Sequence, residues 1–224
     1  MTKLSLAVPA IVFALVFNVS FAVAQGEDVK VNEDFESGAD NWKPTDPTVW
    51  KVTKIGGRTV YSQHKKKSSY KPPHRSPYHI SLLRDVVVSD FTLDVEVLST
   101  HPDYGHRDAC LFFGYQDPAH FYYVHLGKKT DPNSNQIMIV NDAPRTKIST
   151  KTTPGTNWDD KWHSVRIIRK VEDGTIEIYF DDMDTPALTA KDDTFKWGQI
   201  GLGTFDDTTA WDNLKLEGKK GERD

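Results

Sequence analysis

Residues 91–97 read Phe-Thr-Leu-Asp-Val-Glu-Val, with an apolar side chain at every second position. Successive side chains of an extended strand point to opposite faces, so this alternation predicts a strand with one buried and one solvated face. Working outward along the chain, 163–169 and 175–181 alternate in the same way, and 109–115, 121–126, 136–141, 199–205 and 210–216 read as further strands. This many short strands, separated by turn-forming residues, predict an all-β fold, a two-sheet antiparallel jelly-roll sandwich.

Residues 1–24 have the features of a signal peptide. Lys3 precedes a nearly apolar run from Leu4 to Ala24, and Ala22-Val23-Ala24 supplies the small-x-small cleavage pattern. The run is also just long enough for an uncleaved membrane anchor, which Pro9 and the cleavage pattern disfavour. We therefore predict a secreted or bacterial periplasmic protein with no membrane span after cleavage.

The remaining length suits one domain, which we place at residues 25–218, followed by a charged, disordered tail at 219–224. The formal net charge of −4 argues against a nucleic-acid partner, which normally needs a concentrated basic face. Cys110 is the only cysteine, so an internal disulfide is excluded, and its apolar surroundings predict a small buried side chain. We find no Gly-rich phosphate loop, nucleophile elbow or CxxC pair, which disfavours phosphoryl transfer and thiol redox chemistry.

The segment from Tyr61 to Tyr78 differs from the alternating strands. It contains Lys65-Lys66-Lys67, three prolines, two histidines and Arg75. A solvated loop is one interpretation. Because long loops in compact domains are often lids or binding loops, the other is a lid whose cations meet an anionic substrate.

Several motifs carry a resemblance to a known superfamily, the concanavalin A-like lectins and glucanases. The chain also resembles secreted 3-keto-disaccharide hydrolase-like domains and carbohydrate-binding modules of similar size. The resemblance implies the jelly-roll fold and a polysaccharide or oligosaccharide partner, but this fold hosts lectins, hydrolases and lyases alike. The motifs are Glu33-Asp34-Phe35-Glu36, Trp42, Trp50-Lys51-Val52, Asp90-Phe91-Thr-Leu-Asp-Val-Glu, Trp162-His163-Ser-Val-Arg166, Ile176-Glu-Ile-Tyr-Phe-Asp181, Gly198-Gln-Ile-Gly-Leu-Gly203 and Trp211-Asp-Asn-Leu-Lys-Leu216.

Catalytic signatures of this superfamily are incomplete in the chain. The Glu-x-Asp-x-x-Glu strand of laminarinase-like hydrolases is absent, so a two-carboxylate mechanism has no clear candidate pair. Tyr123-Val124-His125 resembles, in position and alternation, the Gln-x-His strand of jelly-roll alginate lyases, whose other two signatures are missing. The kind of chemistry therefore has to be argued from individual side chains.

On a strand, Tyr123 and His125 share one face, and Tyr122, Val124 and Leu126 form the better core face. We therefore expect Tyr123 and His125 to point together onto an open face. Such a pair suits proton abstraction and donation in β-elimination of a uronic acid polymer.

Basic and polar residues near this pair are candidates for holding an anionic glycan. Arg107, Arg145 and Lys147 would neutralise a substrate carboxylate, and His106 and Asn141 complete the predicted substrate-binding set. We therefore predict a polysaccharide lyase or glycoside hydrolase, with two alternatives left open. One is a carbohydrate-binding module without catalysis, and the other is an envelope interaction protein that uses the same face.

Two metal sites are conceivable. Relatives of the superfamily often bind calcium where the first strand meets the last, so the resemblance implies Glu33, Asp34 and Asp212 as oxygen donors. The spacing His101-x-Asp103-x-x-His106-x-Asp108 offers nitrogen and oxygen ligands for zinc, although Pro102 and Gly105 favour a connecting loop. Asp206-Asp207 can similarly be ligands or turn residues, and the turn interpretation is favoured.

Overall fold

The structure is a computed structural model that describes Met1 and residues 27–223. The predicted signal peptide, apart from Met1, lies outside the described residues. Within the described part of the chain, no helix has the length and apolar character needed to cross a bilayer.

Strands make up nearly all of the regular structure, together with one short 3-10 helix at Pro47–Val49. In chain order they are β1 (Asp28–Glu33), β2 (Trp42–Pro44), β3 (Trp50–Ile55), β4 (Arg58–Gln63), β5 (His79–Leu83), β6 (Val88–Ser99), β7 (Asp108–Asp117), β8 (His120–Gly127), β9 (Gln136–Asn141), β10 (Thr146–Lys147), β11 (Ser149–Lys151), β12 (His163–Lys170), β13 (Thr175–Phe180), β14 (Leu188–Lys191), β15 (Gln199–Thr204) and β16 (Thr209–Lys220).

The strands form two antiparallel sheets that pack face to face. The larger sheet has nine strands in the order β11-β14-β13-β12-β6-β16-β4-β3, with β1 also paired to β16. The smaller sheet has seven strands in the order β10-β9-β8-β7-β15-β5-β2. Alternate side chains of both sheets meet in a single apolar core that includes Leu93, Val124, Trp158 and Trp211. The predicted all-β jelly-roll sandwich is confirmed.

All of the predicted strands are present. The 91–97 pattern lies in β6, and the 136–141 pattern coincides with β9. The sequence analysis does not predict β5, because this strand is buried on both faces and its side chains do not alternate between core and solvent.

The predicted disordered tail begins too early. Lys219 pairs with Asp28 of β1 and Lys220 with Val88 of β6, so the sheet continues two residues past the predicted boundary. Ion pairs accompany this pairing, between Lys219 and Asp28 at 2.5 Å and between Lys220 and Glu27 at 2.7 Å. Charged side chains of a paired strand can point into solvent while the backbone is hydrogen-bonded, which is why charge alone misplaced the boundary.

Candidate functional site

The smaller sheet is apolar on its outer face as well as on its core face. The register pairs Phe112 with Tyr123 and Tyr123 with Met138, and these three side chains point away from the inter-sheet core. They belong to a second cluster that lies on the outer face: Ile80, Leu82, Cys110, Phe112, Tyr115, Phe121, Tyr123, Met138, Val140 and Phe205. A sheet with two apolar faces requires a cover on each side.

Residues 64–78, which we call the strap, provide the cover. Tyr70 and Tyr78 of the strap pack against the outer apolar cluster. The Tyr78 N–H donates to the Phe205 carbonyl at 3.0 Å, and the Arg145 N–H donates to the Arg75 carbonyl at 3.1 Å. The strap is therefore an ordered third layer over the sheet rather than a free loop.

Asp46 anchors the beginning of the strap. Its carboxylate is 3% exposed and accepts hydrogen bonds from the Ser69 N–H and hydroxyl, both at 2.7 Å. It also accepts from the Thr48 N–H at 3.0 Å and the Thr48 hydroxyl at 2.7 Å. The Ser69 backbone bond is the largest of the effects that hold the pKa of Asp46 well below its ordinary value of 3.8.

Replacement of this anchor tests the strap directly. We expect Asp46→Ala to lower the free energy of unfolding by about 2 kcal/mol, because the hydrogen bonds from Thr48 and Ser69 to a buried, charged acceptor are lost. Since the folded pKa is depressed, the contribution of Asp46 is present above pH 3.8 and is lost only as the carboxylate protonates at lower pH. Trypsin should also cut the variant faster at Lys65–Lys67, which are exposed already, because a strap without its anchor opens more readily; timed digestion measures the rate.

The matched control for this change is Asp34→Ala. Asp34 is exposed, and its carboxylate accepts one local hydrogen bond, from the Glu36 N–H. We expect its digestion rate and unfolding midpoint to stay near those of the wild type. Equal digestion of the two variants would contradict an anchoring role for Asp46.

Tyr123 and His125 lie side by side on the outer face, with ring centroids 6.3 Å apart. Tyr122, Val124 and Leu126 lie in the inter-sheet core, so the predicted division of the two faces is confirmed. The expected open face is wrong for Tyr123, which is 0% exposed beneath the strap layer. Burial raises the pKa of its phenol far above the usual value, which disfavours the phenolate form that a base requires.

Arg145 and Arg75 meet over one aromatic ring. The guanidinium carbon of Arg145 lies 4.1 Å from the Phe205 ring centroid, and that of Arg75 lies 5.6 Å from the same centroid. Arg145 Nη1 also donates to the Tyr123 hydroxyl at 3.3 Å. Within residues 27–223, neither guanidinium forms an ion pair with a carboxylate. We call Arg75, Arg145 and Phe205 the arginine pair site.

The other predicted substrate-binding residues do not join this site. Arg107 is 1% exposed, and its guanidinium donates to the Ser99 hydroxyl at 2.8 Å and the Ser99 carbonyl at 2.7 Å. A group held in this way is not free for a substrate, so a binding role for Arg107 is wrong. The His106 side chain is 68% exposed beside Asp131.

Asn141 and Lys147 lie at the edge of the smaller sheet. Asn141 ends β9 opposite His120, and its side chain is exposed. Lys147 of β10 pairs with Met138, whose side chain is on the outer face, so Lys147 is placed on that face. Lys147 thus extends the positive charge of the arginine pair site toward the edge.

Buried carboxylates lie at one end of the outer face. Asp108 Oδ1 accepts from the Phe205 N–H at 2.9 Å, and Asp207 Oδ2 accepts from the Asp108 N–H at 2.9 Å. The Tyr104 hydroxyl donates to Asp207 Oδ1 at 2.7 Å. Burial, and then the charge of Asp108, raises the pKa of Asp207 to about 6. These bonds close the turn after β15, as the turn interpretation of Asp206-Asp207 predicts.

The residues named for calcium are not assembled around one point. The Asp212 carboxylate is paired with Arg58 at 2.6 Å, and Glu33 accepts from the Phe35 N–H at 3.0 Å. Within the described chain, the clusters whose ligand atoms lie within 4.8 Å of one another do not include Glu33, Asp34 and Asp212 together. The three residues do not fit a calcium ion in this arrangement.

The loop motif named for zinc is also dispersed. Asp103 pairs with Lys128, while His101 lies 3.5 Å from Asp207. His106 faces Asp131 at 3.9 Å. The fourth residue of that motif, Asp108, instead faces His125, whose Nε2 is 3.3 Å from Asp108 Oδ2.

Sequence patterns missed Phe205 as part of a site. Phe205 follows β15 and reads as a further core residue, because nothing local shows that two distant arginines stack on its ring. The cationic segment that contains Arg75 indicated a site for an anion. Its partner Arg145, however, is 70 residues away in the sequence. Only the pairing of the strap with the loop before β10 brings them together.

The fold is that of the concanavalin A-like jelly rolls, a class that includes lectins and carbohydrate-binding modules. A carbohydrate-binding module of Bacillus subtilis superimposes with a TM-score of 0.55 at 18% identity, covering 80% of this chain and 96% of that one. The acidic lectin of winged bean, complexed with methyl-α-D-galactose, gives 0.60 at 13% identity, covering 88% and 100%.

A third similar structure, a Bacillus subtilis protein of unknown function with a galectin-like fold, has a TM-score of 0.55 at 10% identity. It covers 88% of this chain and 99% of its own. No family model matches the sequence. No curated protein matches it either. The similarity therefore establishes the fold alone.

Proposed function

We propose that this chain is an exported protein that binds an acidic polysaccharide or oligosaccharide without cleaving it, at the arginine pair site. The observation that carries the proposal is the presence of two guanidinium groups over one ring with no carboxylate partner in residues 27–223. Guanidinium groups bind carboxylates and sulfates in a planar, two-point geometry. Two of them on one ring suit a repeating acidic sugar.

The surroundings support an anionic ligand. Lys65, Lys66, Lys67 and Lys71 are exposed on the strap, and Lys147 is exposed on the same side of the sheet. Positive charge spread along a surface raises the rate of encounter with a polyanion and makes its binding sensitive to salt. The solved structures with this fold include a carbohydrate-binding module and a lectin, which agrees with a sugar ligand for this chain.

Cleavage of the glycan is the second candidate function. Its support is the contact of Arg145 with Tyr123 and the proximity of Tyr123 to His125, the groups that β-elimination would need. In the present arrangement the strap layer buries Tyr123 completely, so a substrate could not reach its hydroxyl. Binding without cleavage requires no movement of the strap, because the arginine pair site does not need access to the Tyr123 hydroxyl.

A binding experiment with single arginine variants tests the proposal. Isothermal titration against uronate-containing, sulfated and neutral glycans should detect acidic glycans, with affinity falling as salt is added. Arg75→Ala and Arg145→Ala should each weaken binding about tenfold, equivalent to about 1.4 kcal/mol. Arg223→Ala removes an exposed positive charge near the end of the chain and should change nothing.

The possible results separate the candidates. Equal affinity for neutral and acidic glycans would overturn the anionic preference. Absence of binding to every glycan would overturn carbohydrate binding itself. Release of unsaturated uronate by the wild type, abolished in His125→Ala, would establish the cleaving enzyme instead.

A further inference from the structure

Three potential metal ligands converge on the outer face at the start of β7. Asp108 and Cys110 lie two positions apart on β7 and therefore share a face, and Cys110 is paired directly with His125 of β8. One ligand atom of each residue lies within 4.8 Å of the other two. All three side chains are buried.

One ring nitrogen of His125 forms no hydrogen bond with any group in residues 27–223. Its side chain is 7% exposed, and its Nε2 makes no hydrogen bond. Its Nδ1 lies 2.8 Å from the Asn133 carbonyl oxygen, which can only accept, so Nδ1 carries a proton and donates it. In the neutral ring the lone pair is then on Nε2, 3.3 Å from Asp108 Oδ2. Metal-binding histidines have this second-shell arrangement, in which the other ring N–H donates to a carbonyl.

The positions of the donor atoms suit a small divalent ion. Neighbouring ligands of an ion with bonds of about 2.0–2.1 Å are separated by roughly 3–3.4 Å, and the Asp108–His125 separation falls in that range. Asp108 Oδ1 is held by the Phe205 N–H, which leaves Oδ2 for the ion. Phe205 stacks on the His125 ring at 5.8 Å and fixes its plane.

The local charge also favours a cation. The Asp206 and Asp207 carboxylates approach Asp108 within 4.8 Å, so three acidic groups meet in a mostly buried location. Gathering carboxylates away from water is costly unless a positive charge compensates for it. A cation bound between Asp108 and His125 would supply that charge.

We infer that Asp108, Cys110 and His125 form a three-ligand site for a zinc-type divalent ion. The set of one carboxylate oxygen, one thiolate and one imidazole matches the ligands of Zn²⁺, and the thiolate disfavours calcium and magnesium. A tetrahedral ion would have its fourth position filled by water. The inference does not depend on glycan binding, because none of the three ligands belongs to the arginine pair site, although Phe205 borders both.

Cobalt titration provides the test. Chelator-treated protein should bind one equivalent of Co²⁺ and develop a near-ultraviolet sulfur-to-cobalt charge-transfer band, which an equivalent of Zn²⁺ abolishes. Cys110→Ser should lose that band. Loss of a residue that only supports a metal ligand typically weakens metal binding roughly 10–100-fold. His125→Ala removes a ligand itself and should weaken Co²⁺ binding by more than this.

His120→Ala is the matched control. His120 is on the same strand but is flanked at the surface by Asp117 and Asp142, so its loss should leave the band and the affinity unchanged. Binding that is lost in His120→Ala and retained in His125→Ala would overturn the assignment. Absence of Co²⁺ binding to the wild type would overturn it as well, and would leave His125 and Asp108 as an ion pair.

A measurement on the wild type does not depend on the folding of any variant. X-ray absorption of the zinc-loaded protein should show one sulfur at about 2.3 Å and nitrogen or oxygen at about 2.0 Å. A ligand shell without sulfur would overturn the inference. Glycan titration of the chelated protein, performed in parallel, keeps a failure of this site distinct from a failure of the proposed function.

Discussion

Replacing Gly203 by alanine is expected to lower the free energy of unfolding by more than about 3 kcal/mol, beyond the usual range for overpacking a core. Gly203 lies in β15, in the middle of the smaller sheet, paired with Cys110 on one side and Ile80 on the other. A Cβ at this position would lie 1.8 Å from the His79 carbonyl oxygen and 3.0 Å from Phe112. Backbone has to move to relieve the first contact, and urea denaturation measures the cost.

The control for Gly203→Ala is Gly105→Ala. A Cβ at Gly105 would meet only the Lys129 side chain, at an ordinary 3.7 Å. The unfolding midpoint of this variant should remain close to that of the wild type. If Gly203→Ala and Gly105→Ala unfold at the same urea concentration, the close approach of β5 to β15 does not explain the glycine at position 203.

Arg107→Ala is expected to destabilise the protein by about 3 kcal/mol while leaving glycan affinity unchanged. The substitution leaves the buried Ser99 hydroxyl and carbonyl without their donor and opens a cavity in place of a large side chain. Asp160, which Arg107 also contacts at 2.9 Å, is exposed and recovers its hydration. Urea denaturation and glycan titration of the folded variant report the two effects separately.

Arg166→Ala provides the comparison for Arg107→Ala. Arg166 pairs with Asp94 across two strands at 2.7 Å, and both side chains are about one-third exposed. Such a surface pair contributes at most about 1 kcal/mol. A stable Arg107→Ala protein that no longer binds glycan would restore the substrate-binding role that the sequence suggested.

The central strands were predictable because their environments differ on the two faces. In β6 and β12, one row of side chains meets the core and the other meets water, so a local rule of alternation is sufficient to find them. β5 and most of β8 are buried on both faces, and alternation there carries less information. That Tyr123 and His125 share a face still followed from strand geometry alone, because side chains two positions apart on a strand point to the same side.

Accessibility at the candidate site was not predictable from local pattern. The sequence predicted which side chains share each face of β8. It did not predict that residues 64–78 fold back over one of these faces. That covering depends on contacts between distant residues, such as Asp46 with Ser69 and Arg145 with Arg75. The same limit applies to Arg107, because its partner Ser99 belongs to the preceding strand and no nearby residue indicates that the guanidinium is buried.

The sequence by itself determined an all-β sandwich, the positions of its central strands and which of their side chains share a face. These properties depend on periods of two residues and on turn chemistry, which are local. Tertiary structure decided which polar groups are available, because burial and pairing depend on elements far apart in the chain. It placed Tyr123 beneath a covering layer, left Arg75 and Arg145 without a carboxylate partner within residues 27–223, and brought Cys110 and Asp108 to His125.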